Sequence, residues 1–117
     1  MKKILIVEDD AVMAALLKTY LLSKQLEVET AVDGVEGLEK VKASVPDLIL
    51  LDVMMPRLDG YGFIRELKKD IKMRALPVIV LTAREMMRDV FVQEGVKDFV
   101  AKPYDPAELF KIIAKYL

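Results

Sequence analysis

The sequence contains no cysteine, no histidine and no tryptophan among its 117 residues. The lack of cysteine excludes a disulfide framework, a thiolate zinc site and a cysteine nucleophile. The lack of histidine excludes an imidazole general base, an imidazole metal ligand and a phosphohistidine formed on this chain. Any chemistry that the chain performs must therefore use carboxylates, hydroxyls and amines.

Long apolar runs and a strong net charge are missing as well. The longest unbroken apolar run, Ala11–Leu17, is far shorter than the ~20 residues of a membrane-spanning helix. The opening MKKILIVEDD places acids directly after a short apolar run, which is unlike a signal peptide. A net charge of -1 gives no general reason for nucleic-acid affinity. These absences predict a soluble, cytoplasmic protein with no direct contact to nucleic acid or membrane.

The composition is that of a compact domain. Hydrophobic residues make up 54% of the chain and charged residues 32%. A chain of this length typically folds as one domain that buries roughly two thirds of its unfolded surface. We therefore expect a single domain over residues 1–117.

Five short apolar runs rich in branched residues are the predicted strands. They are Ile4–Val7, Val28–Ala31, Leu48–Leu51, Val78–Leu81 and Phe99–Ala101. Four of them show almost no polar alternation, which is typical of strands buried on both faces of a parallel sheet.

Helical periodicity separates and follows these runs. The five apolar stripes are Met13/Leu16/Leu17/Tyr20, Val35/Leu38/Val41, Ile64/Leu67/Ile71, Met87/Val90/Phe91 and Leu109/Ile112/Ile113/Tyr116. Asp105-Pro106 is typical of a helix start, and Gly95 of a left-handed helix end. The alternation predicts an α/β, flavodoxin-like (βα)5 fold with a doubly wound parallel sheet in the order 2-1-3-4-5.

Polar residues with chemical potential follow the predicted strands. Glu8 and Asp9 follow the first strand, Asp52 the third, Thr82 the fourth and Lys102 the fifth. In a doubly wound sheet the functional crevice lies beyond the carboxyl ends of the strands. Converging carboxylates repel one another unless a cation joins them, and oxygen-only ligands suit Mg²⁺. Asp10, the third acid after the first strand, is interpreted as a helix N-cap rather than a ligand.

This set of groups suits phosphoryl transfer. A carboxylate can act as the nucleophile, while a cation, an ammonium group and a hydroxyl stabilise the phosphoryl oxygens. Asp52 is the predicted acceptor, because it ends the central strand between the acid pair and the Thr82/Lys102 side.

Four motifs at these strand ends resemble those of receiver domains of two-component response regulators, in particular the single-domain chemotaxis regulators. They are IVEDD, LILLDVMMPRLDG, VIVLTA and FVAKP, in the family's order and at about its spacing. The resemblance runs from Lys3 to Leu117. It implies that Asp52 receives a phosphoryl group from a sensor histidine kinase or a histidine phosphotransfer protein, with Mg²⁺ as cofactor and no enzymatic activity on other molecules.

The resemblance also assigns individual roles. It implies that Mg²⁺ is coordinated by Asp9, Asp52, the backbone carbonyl of Met54 and, through water, Glu8. It implies that Thr82 and Lys102 bind the phosphoryl group and that Thr82 and Phe99 form a switch. It also implies a cis peptide bond between Lys102 and Pro103. Taken alone, Phe99 is simply an aromatic residue of the core. The family often has tyrosine at this position, and phenylalanine lacks the tyrosine hydroxyl. Thr82 and Lys102 are about two positions closer than is usual, which leaves the geometry of segment 86–94 open.

Two residues near the predicted acceptor bear on how long the phosphoryl group persists. Met54 and Arg84 are expected beside the path of the hydrolytic water, two residues after Asp52 and Thr82 respectively. Neither side chain can act as a base, so we expect a comparatively long-lived phosphorylated state.

The competing hypothesis is a pseudo-receiver or engineered scaffold that binds partners without phosphorylation. The intact set of Asp9, Asp52, Thr82 and Lys102 argues against it. A flavin or dinucleotide carrier is disfavoured, because no G-x-G-x-x-G motif is present and acids follow the first strand. Output is expected through a downstream protein target or an output domain that this sequence does not contain.

Overall fold

A computed structural model describes residues 1–52, 60–82, 93 and 95–117. Five parallel strands form one sheet in the order β2-β1-β3-β4-β5, which confirms the predicted fold. The strands are β1 (Lys3–Val7), β2 (Glu27–Ala31), β3 (Leu48–Asp52), β4 (Val78–Thr82) and β5 (Asp98–Ala101).

Within the described ranges, four α-helices cover the sheet. They are α1 (Ala11–Leu22), α2 (Gly34–Ala43), α3 (Gly60–Lys68) and the C-terminal helix α4 (Pro106–Ala114), and a short 3₁₀ turn at Ile71–Met73 precedes β4. The predicted helix with the stripe Met87/Val90/Phe91 lies outside the described residues.

Burial of the strands follows their apolar content. Every residue of β1, β3 and β4 is buried, as the lack of alternation predicted. The outer strands β2 and β5 are only partly buried. The prediction was therefore wrong for the fourth unalternated run, Phe99–Ala101, because β5 lies at an edge of the sheet. The three central strands therefore form a rigid platform whose carboxyl ends define one edge of the sheet.

The core has one layer on each face of the sheet. One layer contains Phe63, Ile64 and Leu67 of α3 together with Val41 of α2. The opposite layer contains apolar residues of α1 and α4. Gly37 allows α2 to approach its neighbours closely, since a Cβ atom there would lie 3.0 Å from Cε2 of Phe63.

Two residues of the predicted helical stripes within the described ranges are exposed. Leu16 is 63% exposed, because α1 turns Ala14, Leu17 and Leu21 towards the sheet. Since α1 is apolar around most of its circumference, its sequence does not reveal which face is buried. Ile71 is 77% exposed, because α3 ends at Lys68 and Ile71 belongs to the separate 3₁₀ turn.

The predicted boundary signals are confirmed where the structure describes them. The Asp10 carboxylate accepts hydrogen bonds from the backbone N–H groups of Val12 and Met13 and so caps α1. Asp105 caps α4 in the same way. Gly95 has a φ of 86°, the left-handed conformation that favours glycine.

Strand β2 lies at an open edge of the sheet and carries two glutamates. Glu27 is exposed, and Glu29 forms an ion pair of 2.9 Å with Lys3 of β1. The Lys3 ammonium also donates to Oγ of Ser44 at 2.8 Å, after the end of α2. Although Lys3 is almost fully buried, its charge is therefore compensated by partners from two elements.

Candidate functional site

Three carboxylates converge at the carboxyl ends of β1 and β3. Glu8 and Asp9 directly follow β1, and Asp52 ends β3. The two strands pair in parallel with Val7 opposite Leu51, which brings these ends together. One carboxylate oxygen from each acid lies within 4.8 Å of the others. Glu8 and Asp52 are buried, while Asp9 is exposed.

Lys102 extends over this acidic cluster from the neighbouring end of β5. Its backbone N–H donates to the carbonyl oxygen of Thr82 at 2.8 Å, which fixes its start beside β4. Its ammonium nitrogen lies 3.0 Å from Oε1 of Glu8 and 3.6 Å from Oδ1 of Asp52. The peptide bond between Lys102 and Pro103 is cis. The lysine thus bridges the first and third strand ends.

The electrostatics of the site depend on burial. Burial, and then the neighbouring Asp52 carboxylate, raises the pKa of Glu8 to about 7 against the opposing effect of Lys102. Burial alone would lower the pKa of Lys102, but the hydrogen bond to Glu8 and the charges of Asp52 and Glu8 raise it above its usual value. At neutral pH the lysine is therefore charged, while Glu8 titrates close to that pH.

We expect the Glu8→Gln variant to differ from the parent in the pH dependence of its stability. The pKa of Glu8 is raised from 4.5 to about 7 on folding, so its ionised form is disfavoured in the native state. The resulting penalty is absent below the unfolded pKa and fully present above about 7, where it amounts to roughly 1–3 kcal/mol. Urea unfolding in chelator at pH 5 and pH 8 measures it.

Glutamine keeps an oxygen that accepts from Lys102 but cannot ionise. The free energy of unfolding of the variant minus that of the parent should therefore be larger at pH 8 than at pH 5. An equal difference at both pH values would contradict the assigned role of Glu8 ionisation.

Thr82 and Phe99 lie on the other side of Asp52. Thr82 ends β4 and is buried, one strand along from Asp52 at the same edge of the sheet. Phe99 of β5 is buried in the core layer that also contains Phe63. The structure therefore brings Glu8, Asp9, Asp52, Thr82 and Lys102 to one edge, with Phe99 beneath.

Two residues with predicted roles, Met54 and Arg84, lie outside the described residues, as does segment 86–94 apart from Gln93. The expected Met54 carbonyl ligand and the lifetime-tuning pair stay predictions.

The donor set fits a hard divalent cation. Glu8, Asp9 and Asp52 offer only oxygen atoms, which is the preference of Mg²⁺. Oε2 of Glu8 is buried and has no hydrogen-bond partner among the described residues. Such an atom requires a partner, and a water bound to the cation would supply one. Asp9 and Asp52 would hold the ion directly.

The chain matches the family described as response regulator receiver domain over residues 4–114. It belongs to this family. Receiver domains are components of two-component signalling. The motifs from which the resemblance was inferred lie at the strand ends where the structure places the acids and Lys102.

Curated relatives and solved structures agree with this assignment. A hybrid signal transduction histidine kinase D of Dictyostelium discoideum is 44% identical over 91% of the chain, and the response regulator PleD of Caulobacter vibrioides is 40% identical over 92%. The matched segment is 7% of the first protein and 24% of the second. The chain therefore spans less than half the length of these curated relatives.

Among solved structures, the chemotaxis protein CheY4 of Vibrio cholerae superimposes with a TM-score of 0.94 at 28% identity, covering 100% of this receiver domain and 99% of that chain. The receiver domain of the sensor histidine kinase PA1611 of Pseudomonas aeruginosa gives 0.90 at 33% identity, covering 98% and 96% of the two chains. In that structure a magnesium ion is coordinated in the active-site cleft.

Tyr104 is a residue of the site that the sequence did not reveal. It is half-buried, and burial raises the pKa of its phenol, with Lys102 opposing and Glu8 adding to the shift. It also lines a small cavity of about 120 Å³ between α1 and the start of α4. Its position two residues after Lys102 was the available signal.

Among the described residues, no helix has the length and apolar character needed to cross a membrane.

Proposed function

We propose that this receiver domain accepts a phosphoryl group on Asp52 from a phosphohistidine of a partner protein and changes its interaction surface in response. The observation that carries the proposal is the convergence of three carboxylates within 4.8 Å beneath the ammonium group of Lys102. Carboxylates held together in this way are poorly compensated unless a cation completes the site, and that cation together with Lys102 can then receive the oxygens of a phosphoryl group.

The transfer itself follows from the geometry of these groups. A carboxylate oxygen of Asp52 attacks phosphorus, while the bond from phosphorus to the partner's imidazole nitrogen breaks and leaves its electron pair on that nitrogen. Lys102, which already lies 3.6 Å from Oδ1 of Asp52, then pairs with a phosphoryl oxygen. The Thr82 hydroxyl donates to a second oxygen. When bound, Mg²⁺ supplies positive charge that offsets the carboxylates and the incoming phosphoryl oxygens.

The chain acts on no molecule other than its phosphodonor, whose phosphorus–nitrogen bond breaks as the acyl phosphate of Asp52 forms. Hydrolysis of its own acyl phosphate would return it to the starting state. This function needs a sensor histidine kinase or a histidine phosphotransfer protein as donor and a downstream protein or output domain as target. We propose that it acts in the cytoplasm, without direct binding to nucleic acid or membrane.

The test is intact-mass spectrometry after incubation with a small phosphodonor. With Mg²⁺ we expect a single phosphoryl group per chain, and in excess chelator little or none. Full labelling in chelator would remove the requirement for the cation. No labelling in Mg²⁺ would instead support a protein-interaction module that is not phosphorylated.

Phosphorylation should alter the packing of Thr82 and Phe99. When the Thr82 hydroxyl moves towards a phosphoryl oxygen, it vacates space that the Phe99 ring enters, as in other two-state switches. Amide hydrogen exchange with and without a phosphoryl mimic should therefore differ in β4, β5 and segment 86–94, and not in β2. Identical exchange in the two states would contradict the coupling.

The lifetime of the phosphorylated state should depend on Met54 and Arg84. We expect methionine at this position to crowd the approach of water without orienting it, and arginine to stabilise the charge of the phosphoryl group. Met54→Asn with Arg84→Glu should speed loss of the group about tenfold or more, equivalent to ~1.4 kcal/mol of barrier. The measurement is decay of the adduct in Mg²⁺ after the donor is removed. Decay at the parent rate or slower would exclude control by these positions.

A further inference from the structure

Three cationic side chains lie at the edge of the sheet opposite to Asp52. Lys68 ends α3, Arg74 follows the 3₁₀ turn before β4, and Lys97 immediately precedes β5. Since β4 begins at Val78 and β5 at Asp98, these residues lie at the amino-terminal edge of the sheet. We call Lys68, Arg74 and Lys97 the basic edge cluster.

Hydrogen bonds fix the positions of its members. The Lys68 ammonium donates to the carbonyl oxygen of Arg74 at 2.8 Å, and Nε of Arg74 donates to the carbonyl oxygen of Lys68 at 2.9 Å. A Cβ atom at Gly95 would lie 3.5 Å from the Lys68 ammonium nitrogen, so that group lies against the turn leading to Lys97. The backbone N–H of Lys97 donates to the carbonyl oxygen of Val78 at 2.9 Å. The three cations thus come from segments that are held together.

No carboxylate of the described part of the chain pairs with this cluster. Glu66 forms its ion pair with Lys69 at 2.7 Å. Asp70 caps the 3₁₀ turn through its side chain. Asp98 accepts hydrogen bonds from its neighbour's backbone N–H and from the Tyr116 hydroxyl at 3.2 Å. These three acids of the described ranges therefore have other partners.

The arrangement has an electrostatic cost in the isolated chain. Burial lowers the pKa of Lys68, and the nearby Lys97 lowers it in the same direction. Like charges held together disfavour each other's charged form, and an external anion would relieve this. Surface clusters of one sign without an internal counter-charge are typical of sites that receive a complementary partner.

We propose that the basic edge cluster binds the carboxylates of an acidic segment of a partner protein. An acidic segment presents several carboxylates at the spacing of separate side chains, so it can pair with several of these cations at once. The site is independent of phosphorylation at Asp52.

The test uses a fluorescent oligo-glutamate peptide, with binding followed by anisotropy at low ionic strength. We expect the Lys68→Gln/Lys97→Gln variant to bind the peptide about fivefold more weakly than the parent, the sum expected for two surface ion pairs. The matched control Lys111→Gln/Lys115→Gln removes the same charge from α4 and should change the affinity by less than about twofold. The Asp52→Asn variant should bind like the parent.

Equal weakening in both double variants would overturn the proposal, because binding would then reflect overall charge alone. No binding to the parent would overturn it as well. A single-stranded oligonucleotide of the same charge that binds more tightly than the peptide would overturn the choice of a protein partner. Replacing Lys68 also removes its hydrogen bond to the Arg74 carbonyl oxygen. The single variant Lys97→Gln leaves that hydrogen bond intact and so provides a second measurement. It should weaken binding by about half as much in free energy as the double variant.

Discussion

The Asp52→Asn variant is expected to take up no phosphoryl group from a small phosphodonor in Mg²⁺, whereas the parent takes up one. Asparagine has nearly the shape of aspartate, so the buried end of β3 should keep its packing. Its amide is uncharged, so it lacks the anionic oxygen that attacks phosphorus and offsets the charge of the cation. Intact-mass spectrometry under identical conditions measures the difference, and thermal unfolding verifies that the variant is folded.

The matched control for this experiment is Asp10→Asn. Asp10 lies close to the acidic cluster in the sequence but caps α1, and asparagine is an equally good N-cap. This variant should be labelled like the parent. Stoichiometric labelling of Asp52→Asn, or loss of labelling in Asp10→Asn, would contradict the assignment of Asp52 as the acceptor.

The second large effect is expected at Phe63, which is fully buried between α2 and the sheet. Phe63→Ala should lower the free energy of unfolding by about 3–5 kcal/mol, because it removes a large ring and leaves a cavity. Urea unfolding followed by circular dichroism measures this loss. The midpoint should fall while the denaturant slope stays close to that of the parent.

Gly37 offers a way to separate lost packing from general damage. A Cβ atom at this position would lie 3.0 Å from Phe63 and 3.1 Å from Cγ2 of Val7, so Gly37→Ala should destabilise the parent by about 1–2 kcal/mol. In the Phe63→Ala background the crowding ring is absent and only the contact with Val7 remains, so the same substitution should cost less, because the higher helix propensity of alanine, worth about 1 kcal/mol, then offsets more of the strain. Additive effects of the two substitutions would contradict the direct contact.

The sequence was sufficient for the fold, and for bringing Glu8, Asp52 and Lys102 to one edge of the sheet, because both depend on position along strands. Unalternated apolar runs predicted the three fully buried strands, and residues at strand ends in a parallel sheet must meet at one edge. Glu8, Asp52 and Lys102 could therefore be assigned to one site without coordinates. Their roles still depend on the resemblance and on the experiments above.

Other features require three dimensions. In α1, apolar residues occur on nearly every side, so the exposure of Leu16 depends on how the helix is rotated against the sheet. The end of α3 at Lys68 left Ile71 outside the helix, although its spacing continued the stripe. The raised pKa of Glu8 arises from burial and from a carboxylate 44 residues away in the sequence, a proximity that no local pattern contains.

The glutamates of β2 have a consequence for how copies of the chain behave at high concentration. An outermost strand exposes backbone groups that can pair with the same strand of another molecule, which is a common route to aggregation. Two β2 strands aligned edge to edge would bring Glu27 and Glu29 of one copy near those of the other. Such like-charge neighbours disfavour strand pairing. Because Lys3 compensates only Glu29, and from within its own sheet, the open edge keeps negative charge that opposes growth of the sheet from one molecule into the next.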